Sequence, residues 1–366
     1  MSVLTAKLPV FTAQLTVPYY LAPMAEISHR ALRELIEDFG GCDCYFSEMI
    51  SAKAVFSGGP FERWYMDTAP KPEKLVFQIV GSEADAVSRA AACLDSLDCA
   101  GIDINMGCSA PLIIKKGGGA AWMASIDNAS RLISQVRPLV KSRLSVKLRI
   151  GFKDDFDYLT RFCRSLQDEG VELITLHPRL VNQKFKRLAR WEYVGALRQE
   201  LKIPVAGNGD VSAAVDLVRR AGDPCDAVMT GRAAVKMPWI FAEARKLEEL
   251  TANDTQAKRD EEFSVNRMSR REHGDDERPY TDSLPRYEDI GLRFLELLAL
   301  YQPAEFHISR ARRFFTFFCQ NLKWGTNLIN QLNREETLSG FSKVWKKHFA
   351  ERAEDDITPG SHQENQ

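Results

Sequence analysis

The feature that most constrains this chain is an alternation: short apolar runs are followed by polar residues and then by stretches of helical period, again and again over the first two thirds of the sequence. The runs are Tyr19 to Leu21, Cys44 to Phe46, Leu75 to Val80, Gly101 to Ile104, Leu144 to Ile150, Leu173 to Leu176, Pro204 to Ala206 and Ala227 to Met229. Between them, apolar residues return every three or four positions. Leu32, Leu35, Ile36 and Phe39 form one such stripe, with Ser28 placed to cap its start and Gly40 its end. Val87, Ala90, Ala91, Leu94 and Leu97 form another behind Ser82 and Asp85, which read as a capping box. Eight strand-then-helix units in about 230 residues predict an α/β fold, a closed (β/α)8 TIM barrel, whose usual length is about 250 residues. An open doubly wound sheet is the rival, but no G-x-G-x-x-G follows the first run, and polar residues of interest follow most runs rather than one switch point.

The remaining third reads differently. The barrel is expected over 1–252. Residues 253–285 carry many charges of both signs and few apolar positions, the pattern of a linker or surface excursion. Stripes through Leu292, Leu295, Leu298 and through Ile308, Ala311, Phe315, Phe318, Leu322 predict a small C-terminal helical bundle over 286–350, followed by a frayed acidic tail over 351–366.

With a formal net charge of -1, the chain is no global polycation, so any nucleic-acid binding must come from a local patch. Cysteines stand at 42, 44, 93, 99, 108, 163, 225 and 319 without C-x-x-C spacing, which suits reduced thiols and gives no reason to expect a metal. No run is long enough to cross a membrane, and the N-terminus lacks a basic-then-apolar leader. A cytoplasmic monomer is expected.

In a barrel the strand exits share one face, so residues far apart in sequence converge on one bowl. Pro23, Met24 and Ala25 follow the first strand; Gln78 lies in the third; Asn105 and Cys108 end the fourth; Lys147 and Arg149 lie in the fifth; His177 and Arg179 close the sixth. Strand seven ends in Gly207, Asn208, Gly209 and Asp210, and strand eight in Gly231 and Arg232. Glycines that admit backbone N–H groups, beside an arginine at the seventh and eighth exits, suit a phosphate; a plain tight turn is the alternative. Lys147 points inward from an apolar strand, which is costly unless it meets an anion such as a reduced flavin; a solvated lysine is the alternative. The Gln78 amide has two uses open to it, the polar edge of a flavin or a neighbouring backbone group. Cys108, in a loop after Gly107, is either an inert small hydrophobe or, with a thiol protonated at neutral pH, a proton donor to a carbon gaining negative charge.

The motifs L-A-P-M at Leu21, F-Q-I-V-G at Phe77, D-I-N-M-G-C at Asp103, K-K-G-G-G-A at Lys115, V-K-L-R-I-G at Val146, L-H-P-R at Leu176, V-A-G-N-G-D at Val205 and V-M-T-G-R at Val228 stand in order along the chain. Together they resemble the dihydrouridine synthase family, flavin enzymes that reduce uracils in tRNA. The resemblance implies that Pro23, Met24, Ala25, Gln78, Lys147, His177, Asn208, Gly209, Asp210, Gly231 and Arg232 hold FMN. It implies that Cys108 donates the proton, that Asn105 and Arg149 lie beside the uracil, and that NADPH supplies the hydride; Arg179 is a further candidate on the substrate side. Two departures touch the substrate side: Ser109 and Ala110 precede Pro111 where the family has proline directly after the cysteine, and Pro178, Arg179, Leu180 replace its G-R-T.

An RNA partner has independent support. Segment 286–350 contains ten Lys or Arg against six Asp or Glu, with Arg310, Arg312 and Arg313 close together. Lys184, Lys186, Arg187 and Arg190 extend the basic surface to the rim. Lys184, Arg310 and Arg313 are therefore expected to contact RNA. Two rivals remain: a small-molecule FMN oxidoreductase of the dihydroorotate dehydrogenase type, which has no use for a basic tail, and a phosphate-binding barrel without redox chemistry.

Overall fold

The computed structural model describes residues 17–183, 185–264 and 286–351. Eight parallel strands close into a barrel in sequence order: β1 (Tyr19–Leu21), β2 (Cys44–Ser51), β3 (Leu75–Val80), β4 (Gly101–Met106), β5 (Arg143–Gly151), β6 (Leu173–Leu180), β7 (Val205–Asn208) and β8 (Ala227–Thr230). The ring closes where Tyr19, Tyr20 and Leu21 pair with Val228, Met229 and Thr230. Strands of such a barrel are covered on both faces, which is why they read as continuous apolar runs.

Seven full helices pack around it: α1 (Arg30–Glu37), α2 (Ala84–Asp95), α3 (Ile126–Val136), α4 (Phe156–Asp168), α5 (Glu192–Glu200), α6 (Ala214–Ala221) and α7 (Ile240–Ser264). The crossover from β2 to β3 is made instead by single turns at Ala54–Phe56 and Glu62–Tyr65, so this unit departs from the expected strand-then-helix form. α7 also runs on to Ser264, twelve residues past the boundary expected at 252. A charged helix with no apolar stripe reads as a linker from sequence. The rest of the predicted linker, 265–285, and the predicted tail from 352 lie outside the described residues.

Two expected caps are not formed. Ser28 Oγ bonds the backbone of Met24, and α1 begins after His29 without a side-chain cap. α2 begins after Glu83, again uncapped, so Ser82 and Asp85 make no capping box. In both places tertiary packing of the apolar stripe does the work that a cap would share.

Four helices follow: α8 (Tyr287–Tyr301), α9 (Ala304–Phe318), α10 (Gly325–Leu332) and α11 (Leu338–Ala350). Their centre is aromatic. Phe294 stacks on Phe314 with centroids 3.7 Å apart, and Trp345 lies 4.8 Å from Phe315. A side chain at Gly291 would come within 2.4 Å of the Trp345 indole, so the close approach of α8 and α11 requires glycine there. Trp239, just before α7, meets both Tyr287 and Phe318, and Asn321 donates to the Lys236 carbonyl at 2.6 Å. Phe294, Phe315 and Trp345 therefore belong to one continuous core with Leu148 and Phe162 of the barrel wall.

Inside the barrel the side chains change character from bottom to top. A small apolar cluster including Tyr20, Phe46, Val76, Leu173 and Met229 fills the lower layer. Two residues further along β3 to β6 the positions that share the inward face by the period of two are polar: Gln78, then Asp103 and Asn105, then Ser145, Lys147 and Arg149, then Thr175, His177 and Arg179. No described helix is long and apolar enough to cross a membrane.

Candidate active site

A cavity of about 500 Å³ opens at the strand exits. Pro23 and Met24 form one side, Asn105 and Cys108 another, Lys147, Arg149, His177 and Arg179 the far wall, and Asn208, Gly209, Asp210, Gly231 and Arg232 the end at β7 and β8. Ala25 is exposed and does not line it. The turn after β1 carries Ala25 outward, because Glu26 takes a left-handed φ of 60° and turns back toward Glu48.

Gln78 does not reach the cavity either. It is fully buried below the floor, donating to Asp103 at 2.7 Å and accepting from Asn105 Nδ2 at 2.8 Å. Of its two open uses the structure shows neither a cavity contact nor a backbone one; neighbouring side chains take the amide. Asn105 in turn accepts from the backbone N–H groups of Gly107 and Cys108 at 3.1 and 2.8 Å. Its amide is thereby committed to holding the loop, even though it borders the cavity.

Cys108 is half-buried at the cavity wall. The K-K-G-G-G-A segment buttresses it from behind. Ala120 N–H donates to the Cys108 carbonyl at 3.0 Å, and Gly119, at φ +57°, lies so close that a Cβ would stand 2.8 Å from that oxygen. Pro111 opens a single helical turn, Pro111–Lys115, where its fixed φ and missing N–H are tolerated.

The electrostatics are one-sided. Lys147 Nζ donates to Asn208 Oδ1 at 2.9 Å, and Asn208 Nδ2 donates to the Met229 carbonyl. Burial, helped by Arg149, pushes the Lys147 amine down to about 8. Burial and then Arg179 push Arg149 down to about 10; its Nε donates to the Gly107 carbonyl at 3.1 Å. His177 is held far below its ordinary value, first by burial and then by Lys147, Arg149, Arg179 and Arg232, so it is neutral at physiological pH. Arg179 NH1 lies 3.1 Å from His177 Nε2. A guanidinium can only donate, so Nε2 accepts and the ring proton sits on Nδ1.

Arg179 and Asp210 depart from the roles expected of them. Arg179 is buried and ion-paired with Asp210, while Asp210 also accepts from Ala189 N–H and Arg179 donates to the Arg187 carbonyl. The pair latches the β6 loop to the β7 loop, which leaves neither charge available to face a ligand alone. The glycines of β7 divide as well. A Cβ at Gly207 would strike the Trp191 ring at 2.2 Å, a packing requirement, whereas Gly209 has φ +129° and a Cβ there would press on His177 at 3.2 Å. Gly209 alone shapes the cavity edge.

Two expected RNA contacts are also engaged elsewhere. Arg310 is fully buried, paired with Glu48 at 3.1 Å and lying 4.8 Å from the centroid of the Phe306 ring. Arg313 is exposed but paired with Glu26. Both join α9 to the barrel. Lys184 lies outside the described residues.

Sequence reasoning passed over Met49, Phe185 and Asp103. Met49 reaches the wall because β2 shifts register between Phe46 and Met49. Phe185 lies over the Arg232 guanidinium at 4.4 Å and 6.0 Å from the His177 ring. Asp103 was legible: it stands two residues before Asn105 on one strand and so faces the same side. Among the described residues no group of His, Cys, Asp and Glu is arranged to hold a metal.

The cavity thus carries Lys147, Arg149, Arg179 and Arg232 against the single carboxylate of Asp210. That excess, with a glycine edge at β7 and β8, suits an anionic group such as a phosphate. A family model described as dihydrouridine synthase (Dus) matches residues 20–273. A probable tRNA-dihydrouridine synthase of Aquifex aeolicus (strain VF5) is 32% identical over 232 residues, covering 62% of this chain and 72% of that protein. A tRNA-dihydrouridine synthase B of Xanthomonas campestris pv. campestris is 33% identical over 226 residues, covering 61% and 67%. A tRNA-dihydrouridine(47) synthase NAD(P)(+)-like protein of Xenopus tropicalis is 29% identical over 229 residues, covering 62% of this chain but only 36% of that longer protein. The helical unit 286–350 lies beyond the span that the family model matches.

Proposed function

Because the chain belongs to the dihydrouridine synthase family, we propose that it reduces the C5–C6 double bond of uridines in tRNA to 5,6-dihydrouridine, with FMN as cofactor and NADPH as hydride source. The observation that carries this reading is the placement of Cys108 across one positively charged cavity from Arg232 and beside Lys147. FMN, when bound, supplies the hydride that C6 of the base accepts.

The chain's own residues do the rest. Arg232, Gly231 and Gly209 hold the phosphate at the β7 and β8 exits, where backbone and guanidinium donors converge. Lys147 faces the polar edge of the ring system and offsets negative charge there. Pro23 and Met24 supply apolar contact. Neutral His177 offers a donor at Nδ1 without adding another charge. Cys108 Sγ–H gives its proton to C5 as C6 takes the hydride, which leaves a thiolate to be reprotonated from solvent. Arg149, bonded to the Gly107 carbonyl, stiffens the loop that carries the thiol.

The helical unit serves to grip RNA while one uracil leaves its stack for the bowl. Its exposed basic residues include Lys343 and Lys346. This replaces the earlier expectation for Arg310 and Arg313, whose charges are already met.

The test is to incubate unmodified tRNA with the protein, FMN and NADPH and to map dihydrouridine along the RNA. Conversion at a defined position is expected, and none with Cys108→Ala. A protein that takes up no flavin, or that reduces free uracil-like compounds and leaves tRNA untouched, overturns the reading.

A further inference from the structure

The hydrogen bonds beneath Cys108 form a chain with a direction. Asp103 is fully buried and accepts from Ser145 Oγ at 2.6 Å and from Gln78 Nε2 at 2.7 Å. A carboxylate has no donor, so Gln78 must turn its NH2 toward Asp103 and its carbonyl oxygen away. That oxygen accepts from Asn105 Nδ2 at 2.8 Å, which leaves Asn105 Oδ1 facing the N–H groups of Gly107 and Cys108.

Each amide alone has two nearly equivalent orientations. The choice is removed from both ends: Asp103 only accepts, and the backbone N–H groups of Gly107 and Cys108 only donate. Reversing Gln78 would set its carbonyl against the Asp103 carboxylate. Reversing both amides would also set Asn105 NH2 against two backbone N–H groups, leaving half-buried donors without their acceptor in the loop that carries the thiol.

We propose that Asp103 is a positioning residue for Cys108: acting through Gln78 and Asn105, it anchors from below the amide whose Oδ1 holds the Cys108 backbone. Its consequence for turnover rests on Cys108 being the proton donor, as proposed above. Its consequence for the loop does not.

The test separates the sense of the chain from its strength. Ser145→Ala removes one bond but leaves a carboxylate that still only accepts, so the sense is kept. Asp103→Asn removes the acceptor-only end, although Ser145 Oγ can still accept from the new amide and hold it in the original sense. The double variant loses both constraints.

The readout is the rate at which iodoacetamide alkylates Cys108 in the full-length protein, followed at that peptide by mass spectrometry. It needs neither flavin nor RNA. Ser145→Ala should react within about twofold of the unaltered protein and Asp103→Asn about threefold faster, while the double variant should exceed the product of the two by about tenfold, the size of coupling expected within one hydrogen-bond network. Effects that simply multiply overturn the proposal.

Should the double variant fail to melt cooperatively, Gln78→Leu carries the test by cutting the chain one link nearer the thiol. Faster alkylation of Cys108 is then expected, and an unchanged rate overturns the proposal. If alkylation responds as described while tRNA is never modified, the positioning role stands and the assigned reaction falls.

Discussion

At the seam between α9 and the barrel, Arg310 is met by Glu48 and Arg313 by Glu26, and Arg33 nearby spends its donors on the carbonyls of Ser28, Asp67 and Ala69. In the bowl, by contrast, four cationic side chains border one cavity with a single carboxylate, and Arg179 has already claimed it. A buried cation without a counter-charge is costly, so the seam neutralises its charges and becomes structure. The bowl keeps its excess, and that excess marks where a ligand's negative charge belongs. Arginine content alone separates neither region from the other.

The largest effect that would sharpen this contrast lies at Cys108. Cys108→Ala should lower turnover on tRNA by about 10²- to 10⁴-fold, the usual worth of a positioned acid, while flavin absorbance is retained. Turnover within tenfold of the unaltered enzyme would remove the thiol from the chemistry. At the seam, Arg310→Leu leaves the Glu48 carboxylate buried and unpaired, and urea unfolding should show a loss of about 3–5 kcal/mol. Unchanged stability with weakened tRNA binding would return Arg310 to the RNA surface and break the comparison.

Lys147 supplies a pH test. Burial lowers its folded value to about 8 from 10.5, so between those values the unfolded chain holds a proton that the folded protein has released. Stability should therefore rise as pH climbs from about 8 to about 10.5, by roughly 2–3 kcal/mol, relative to Lys147→Met. FMN binding should weaken over the same range as the ammonium is lost. Parallel urea midpoints for both proteins at pH 7 and pH 10 would count against a desolvated ammonium in the bowl. The smallest effect is expected for Arg313→Ala: its pair with Glu26 is exposed, and its loss should cost about 0–1 kcal/mol by the same measurement. A larger loss would make the seam's rim as important as its interior.

Much of this was legible before the structure. The barrel strands announce themselves because burial on both faces demands unbroken apolar runs, and the two-residue period aligns Ser145, Lys147 and Arg149 on the inner side of β5. What the sequence withholds is partnership. Arg310 and Arg232 are the same residue type near helix starts or middles; the difference is Glu48, 262 positions away from Arg310. Gly207 and Gly209 belong to one motif, yet the Trp191 ring explains the first, while the second is fixed by its φ of +129° with Ala189 and His177 close by. Ser28 has the right chemistry to cap α1 but spends its hydroxyl on Met24. Gln78, read as a possible cavity residue, sits instead between Asp103 and Asn105 because β3 pairs with β4 so that Gln78 lies opposite Asp103, one inward position below Asn105.

The continuity of the core from the barrel wall through Phe294, Phe315 and Trp345 has a mechanical consequence. Swinging the helical unit away would tear open a shared aromatic interior, so the span between its outer surface and the thiol is set like the jaws of a fixed gauge. On the proposed function, the part that grips RNA is thus held at a set distance from the thiol. The bending that brings one base down into the bowl, on that reading, falls to the guest.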